Sequence, residues 1–254
     1  MFIGKREQVI LKYLEDNKMA STSVLTELTG ASIATVRRDL NNLSDKGLII
    51  KVHGGAKCSN PINSLIRTEI TDRNFQEKKE IALMAKKIIK PGNIVFLGAG
   101  VTNMLISRYI GDIDNLMVIT TNINVVLELS ASKMISVLLL GGEVNYCAYH
   151  IETLDEYTLQ AINKYYFDKV FITVDGIDLM EGYSIISRLQ IPLYSYLLQN
   201  CKQFYLVADY SKFNKRAFTH LCGINDIPNI ITNSKTDANY LNHYKNSGVN
   251  LIID

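Results

Sequence analysis

The amino-acid sequence predicts an α/β protein in two parts: a small N-terminal helical domain closed by a β-hairpin, then a larger domain built on a mostly parallel sheet. Up to about residue 57, apolar residues recur every three to four positions, in stretches that end at Asn17, Gly30 and Gly47. Beyond about Ile94, short apolar runs alternate with helical stretches. Periodicity weakens between Asn60 and Asp72, which sets the boundaries at 1–58 for the first domain, 59–74 for a linker and 75–254 for the second domain.

In order, "REQVILKYLEDN" reads as a helix with Val9, Ile10, Tyr13 and Leu14 at helical spacing. "STSVLTELTG" is a second helix, with Ser21 or Thr22 as cap, Val24, Leu25 and Leu28 inward and Gly30 as stop. Ser32 is placed to cap the third, in which Ile33, Val36, Leu40 and Leu43 form the apolar side. "LIIKVHGGAK" follows as a hairpin turning at Gly54-Gly55. After an amphipathic helix over 77–89, the strands are expected at 94–97, 116–120, 135–140, 169–174, 203–208, 229–232 and 250–253.

Composition narrows the function classes. The formal charge of +2 over 254 residues is not that of a polycation, so nucleic-acid binding needs a local patch. Residues 1–57 supply one, with nine Lys and Arg against six Asp and Glu. Cys58, Cys147, Cys201 and Cys222 show no paired spacing, and the first residues lack the apolar core of a signal peptide, so a reduced cytoplasm is expected. No apolar run approaches the roughly 18 residues of a membrane span. Cys147 and His150 form a C-x-x-H without a second pair and read as loop residues; neither a metal nor a cofactor is expected.

With Ile33, Val36, Leu40 and Leu43 inward, Ala34, Thr35, Arg37, Arg38, Asn41, Asn42 and Asp45 lie on the outer face of the third helix. That face suits the major groove: Ala34 and Thr35 are small enough to meet a thymine methyl, and either arginine can grip guanine or phosphate. Ser32 caps the helix whose first amides can meet a phosphate, and Lys51, His53 and Lys57 on the hairpin would contact flanking backbone. An arginine pair alone is ordinarily a solvated helix face. Three short helices, a basic outer face and a glycine-ended hairpin together describe a winged helix-turn-helix.

The run "TVRRDLNNLSDKGLIIKVHGGA" closely resembles the N-terminal signature of the DeoR family of bacterial transcriptional regulators. "RTEITDRNFQEKKEIALMAKKII", "TTNINVVLELS", "LLGGEV", "VFITVDGIDLMEGYS" and "VADYSKF" extend the resemblance almost end to end. It implies a sequence-specific regulator, usually a repressor, in which Arg37 and Arg38 contact an operator in double-stranded DNA. It also implies a Rossmann-like C-terminal domain, similar to sugar-phosphate isomerases, that senses phosphorylated sugars.

Ligands of open parallel sheets sit beyond the strands' carboxyl ends. Those ends carry Gly98, Gly100, Thr102 and Asn103, then Thr121 and Asn122, Gly141 and Gly142, Asp175, and Lys212. Free amides from Gly100 to Asn103 and the Lys212 ammonium would suit a small anionic effector, and glycines allow it close approach. Two departures from the family pattern stand out. The phosphate loop D-[ST]-G-[ST]-T reads Gly98-Ala99-Gly100-Val101-Thr102 here, and Tyr194 falls where the family commonly carries a lysine. Loss of the acid at 98 removes a leading proton-transfer group, so the chain is expected not to be an enzyme. Tyr146, Tyr149, Tyr183 and Tyr194 either belong to core or interface or line a changed pocket.

The expected protein is a cytosolic repressor of a carbohydrate-related operon. It binds DNA as a homo-oligomer, since one winged domain reads only a half-site, and a phosphorylated metabolite releases it. One alternative keeps the DNA role with an effector-independent C-terminal domain that serves assembly; another, from a different class, is an isomerase-type enzyme.

Overall fold

The computed structural model describes residues 4–45, 48–58, 74–147 and 150–254, the side chains of Glu15 and Cys58 excepted. The expected linker, the Gly47 stop and Tyr149 lie outside the described residues. The chain forms two compact units.

The first unit runs α1 (Lys5–Asn17), β1 (Met19–Ser21), α2 (Thr22–Thr29), α3 (Ile33–Asp45), β2 (Ile49–Val52) and β3 (Gly55–Cys58). Ser21 caps α2 by accepting from the Val24 amide at 3.3 Å, and Gly30 ends it in the left-handed region. Ser32 accepts from the Thr35 amide at 3.2 Å and so caps α3. The core is Ile10, Leu11, Leu14, Leu25, Val36, Leu40 and Leu43, with Ile49 and Ala56 from the wing.

Four inward assignments are corrected. Val9, Val24 and Leu28 are exposed, and Ile33, expected inward, is 53% exposed at the start of α3. In α1 the buried stripe centres on Ile10, Leu11 and Leu14, one position round from the stripe that begins at Val9. A helix as short as α2 has room for one core residue, Leu25.

The sequence also gave no sign of β1, too short at three residues to show alternation. Its pairing with β3 puts a strand between β1 and β2, in the order β1-β3-β2, all antiparallel. This pairing explains Gly55. A Cβ there would stand 2.2 Å from the Ala20 carbonyl oxygen, a distance no side chain tolerates.

The second unit begins with α4 (Phe75–Ile88), β4 (Ile94–Leu97), α5 (Val101–Ile110), β5 (Leu116–Thr120), α6 (Ile123–Leu129) and β6 (Ile135–Leu139). A hairpin, β7 (Val144–Tyr146) and β8 (Ile151–Thr153), leads to α7 (Glu156–Ile162) and β9 (Phe167–Ile172). β10 (Gly176–Asp178), β11 (Gly182–Ile185), α8 (Gln190–Gln199), β12 (Cys201–Val207), β13 (Thr219–Cys222), β14 (Asn229–Thr232), α9 (Ala238–Asn246) and β15 (Asn250–Ile253) complete it. All seven expected strands are present, within about two residues at their ends, in one parallel sheet ordered β15-β14-β12-β9-β4-β5-β6. A separate antiparallel sheet, β10-β11-β13, was not foreseen.

Alternation along each strand divides the core. Val95, Leu97, Tyr205 and Val207 pack with α4 and α5 on one face, while Phe96, Phe204 and Leu206 pack with α8 and α9 on the other. The chain moves outward from β4 through β5 to β6, then returns to lay β9 on the other side of β4. This order reversal falls between β4 and β9, and the carboxyl ends of strands at such a switch point are where open α/β sheets take ligands.

Candidate functional site

Two groups of predicted residues are distributed over the two units. In the first, Arg37, Arg38 and Asn41 are exposed on α3, as are Lys51 and His53 on the wing. Ser32 and Ala34 are exposed at the helix start; Thr35 is half-buried, its hydroxyl 2.9 Å from that of Ser32. Neither Arg37 nor Arg38 has an ionic or hydrogen-bonding partner among the described residues. Arg6 shows what a structural arginine looks like in the same unit: it forks onto Asp39 at 2.6 and 3.1 Å, and Asp39 is buried within α3. Asp39 therefore anchors α3 from behind, while the two arginines in front stay free.

The Lys51 ammonium donates to Asn41 Oδ1 at 2.6 Å, tying wing to helix. Ile33 was missed as a surface residue. Its exposure beside Ala34 adds an apolar contact at the helix start, and the signal available in the sequence was its place directly after the Ser32 cap.

At the sheet crevice, Gly100 is the residue before α5, at φ +96°, and a Cβ there would lie 2.8 Å from Thr173 Cγ2 just beyond β9. Only glycine joins β4 to α5 this closely to the neighbouring strand's end. The first-turn amides of Val101, Thr102 and Asn103 have no intrahelical acceptor by the geometry of a helix start. Asn103 is fully buried; its amide donates to the Ala99 carbonyl at 3.0 Å, while Oδ1 has no partner among the described residues. Thr121 Oγ1 is likewise buried and unpartnered.

Other predicted residues serve the scaffold. Asn122 donates to the Gly100 carbonyl at 3.1 Å and accepts the Asn124 amide at 3.0 Å, so its side chain clamps the loop and caps α6. The Gly98 amide is used in the sheet, donating to the Phe171 carbonyl. Gly141 and Gly142 are exposed and lie against the cap of α7, where Thr158 Oγ1 donates to the Gly141 carbonyl and a Cβ on Gly142 would meet Thr158 and Asp155.

The two departures from the family pattern meet in space. A Cβ on Gly98 would stand 3.4 Å from the Tyr194 hydroxyl, and Tyr194 is buried. With the Phe171 carbonyl oxygen at 3.3 Å and Asn103 Nδ2 at 3.4 Å, the phenol is one of three close neighbours a side chain at 98 would meet. Burial raises its pKa well above the usual tyrosine value, so it stays a neutral hydroxyl.

Charges here are committed to one another. Asp175 accepts the Ile186 amide at 2.9 Å and lies 3.9 Å from the Lys212 ammonium. Glu152, buried on β8, holds the Gln190 amide on both oxygens at 3.0 and 3.1 Å; burial raises its carboxyl pKa. Burial also lowers His150 to about 4, leaving its imidazole neutral near pH 7, and raises the Cys147 thiol. Cys147, His150 and Glu152 converge, their ligand-type atoms within 4.8 Å of one another. Sequence spacing paired only the first two; the hairpin supplies the third.

A winged helix with a basic outer face, in a chain whose second unit is a doubly wound parallel sheet reversing its strand order between β4 and β9, defines a class of two-part transcriptional regulator. The DeoR-like helix-turn-helix domain matches residues 6–61, and the DeoR C-terminal sensor domain matches residues 73–234. The chain belongs to the DeoR family of transcriptional regulators. It is 29% identical to the uncharacterised HTH-type transcriptional regulator FruR of Bacillus subtilis (strain 168), covering 99% of both chains. The putative aga operon transcriptional repressor of Escherichia coli O157:H7 is 26% identical over 98% of this chain and 93% of its own. The glycerol-3-phosphate regulon repressor of Escherichia coli (strain K12) is 27% identical over 91% of this chain and 90% of its own. No helix among the described residues is long and apolar enough to cross a membrane.

Proposed function

We propose that the chain represses a carbohydrate-related operon and that a small phosphorylated metabolite at the crevice releases it from DNA. The observation that carries the DNA half is the unpartnered pair Arg37 and Arg38 on the outer face of α3, backed by Asp39 and Arg6. One of Arg37 and Arg38 reads a base edge with Asn41 while the other grips phosphate, Ala34, Thr35 and Ile33 pack on thymine methyls, and Ser32, Lys51 and His53 hold the backbone.

Repression of carbohydrate genes follows the names of the aga operon and glycerol-3-phosphate repressors. For the effector, the free amides of residues 101–103 and the unpartnered Asn103 Oδ1 and Thr121 Oγ1 support a small polar anion bearing hydroxyls. Domain 1–58, linker 59–74 and domain 75–254 divide the work. The active species is a cytoplasmic homo-oligomer, because two half-sites one or more turns apart demand two winged domains. A non-catalytic role is supported by Gly98 and Tyr194, which stand where the family pattern has an acid and a lysine.

A second reading has specific support. Tyr194 fills the space beside Gly98, and Lys212 faces Asp175, so the sheet end suits an effector-independent assembly domain as well.

One experiment separates the readings. The protein is incubated with sheared genomic DNA of its source organism at fixed physiological salt, bound fragments are sequenced, and Arg37→Ala/Arg38→Ala runs in parallel. Enriched sites near carbohydrate genes, lost in the variant, support the DNA role; equal recovery by both proteins overturns it. Recovered sites are then challenged with phosphorylated sugars. Release by one of them supports sensing, and retention through the whole panel favours assembly alone.

A further inference from the structure

The hairpin of β7 and β8 is where the second unit carries chemistry that the regulator reading leaves unused. Its register pairs Tyr146 with Ile151 and Asn145 with Glu152, and the Cys147 amide donates to the His150 carbonyl at 3.0 Å. Cys147 and His150 are therefore cross-strand neighbours on one face. Glu152, two residues beyond His150, lies on that same face. A spacing of C-x-x-H-x-E, unremarkable in a helix or loop, becomes three ligand types side by side once the chain turns back on itself.

The trio is held ready. Glu152 is 2% exposed and fixed by Gln190. Its strand is pinned by the Ile151 amide donating to Asn124 Oδ1 at 3.1 Å and the Thr153 amide donating to the Thr121 carbonyl at 2.8 Å. His150 Nε2 is buried and has no hydrogen-bond partner among the described residues. An unpartnered buried ring nitrogen costs stability. A bound cation would offset that cost.

We propose that Cys147, His150 and Glu152 bind one zinc-class divalent cation, leaving a fourth coordination position for water or another exogenous donor. A thiolate, an imidazole and a carboxylate form a mixed soft and hard donor set that suits zinc rather than magnesium or calcium. Three protein ligands with an open position are the arrangement of zinc sites that meet a substrate, as opposed to closed structural sites. Donors now within 4.8 Å of one another need to close by about 1 Å to reach tetrahedral bonds of about 2.0–2.3 Å. Gln190, bonded to the carboxylate, is the outer partner that orients a ligand. Of the charged groups nearby, Lys212 opposes a cation and Asp175, 3.9 Å from it, offsets that opposition. The site does not depend on which effector the crevice takes.

Cobalt(II) is the probe. Full-length protein is stripped with chelator, kept reduced and titrated with Co²⁺. One equivalent should give a near-ultraviolet thiolate-to-cobalt charge-transfer band with visible bands of tetrahedral intensity, and Zn²⁺ should bleach both. A variant carrying Cys58→Ser, Cys201→Ser and Cys222→Ser, so that Cys147 is the one thiol left, should keep the spectrum. Cys147→Ser should abolish the charge-transfer band. His150→Ala and Glu152→Gln should each weaken Co²⁺ at least about 100-fold, and Gln190→Ala about 10–100-fold. Circular dichroism of the metal-free variants reports whether each still folds. Absence of the charge-transfer band in the folded parent overturns the proposal. So does its survival in Cys147→Ser, or unchanged affinity in folded His150→Ala and Glu152→Gln.

Discussion

The front of α3 and the crevice of the parallel sheet use charge in opposite ways. On α3, Arg37 and Arg38 stand in solvent without partners among the described residues, and the carboxylate nearest in sequence, Asp39, is turned inward and held by Arg6. In the crevice, Lys212 faces Asp175, Glu152 is held by Gln190, and Tyr194 takes the space beside Gly98. A free arginine suits a partner that brings its own dense charge, because phosphates supply the attraction and released counterions the entropy. In the proposed sensing role, a ligand at the sheet end would have to replace charge contacts already made there. Binding there is then coupled to rearrangement, which a sensor requires if it is to favour one state over another.

The sharpest way to break this contrast is to remove the free charge. Arg37→Ala/Arg38→Ala should cost about 3–5 kcal/mol of operator affinity if one arginine reads a base and the other a phosphate, with a smaller loss on random DNA. Fluorescence anisotropy against both DNAs at fixed salt measures it. Equal losses on the two would make both arginines backbone contacts. Arg6→Ala should behave differently, lowering the melting temperature of the first unit and affecting DNA only through lost fold, because its guanidinium is committed to Asp39.

Next in size is the wing. Gly55→Ala places a methyl 2.2 Å from the Ala20 carbonyl oxygen, which forces β1 and β3 apart. Overpacking of this kind costs about 2–3 kcal/mol, readable as a lower denaturant midpoint. An unchanged midpoint would mean that β1 is dispensable to the wing.

How much of this was open to sequence reading depended on the range of the interaction. Helix caps at Ser21 and Ser32, the stop at Gly30 and the seven parallel strands follow from neighbours within a few residues, and all are present. Burial of Asp39 was not legible, because it depends on where Arg6 falls, 33 residues away in the chain, whereas the exposure of Ile33 could have been read from its place directly after the Ser32 cap. At the crevice, the loop glycines and Lys212 were readable as strand-end residues. What they touch was not: Asn122 clamps the loop, and Gly141 and Gly142 pack on the cap of α7. Glu152 escaped notice because only cross-strand register brings it to His150 and Cys147.

The smallest expected effect tests the engaged side of the contrast. Tyr194→Phe keeps the ring that fills the core and removes only the hydroxyl beside Gly98. If that hydroxyl merely satisfies the loop, stability should fall by about 1 kcal/mol, the usual worth of one buried hydrogen bond, with DNA release by effector unchanged. If it is a contact the effector must replace, the variant should need a different effector concentration for half-release while its DNA affinity without effector stays the same. Chemical unfolding together with a release titration on recovered operator DNA reads both quantities from one preparation. A shift in release without a shift in stability would assign Tyr194 to the ligand, and a shift in stability alone would assign it to the scaffold that replaced the family's acid at position 98.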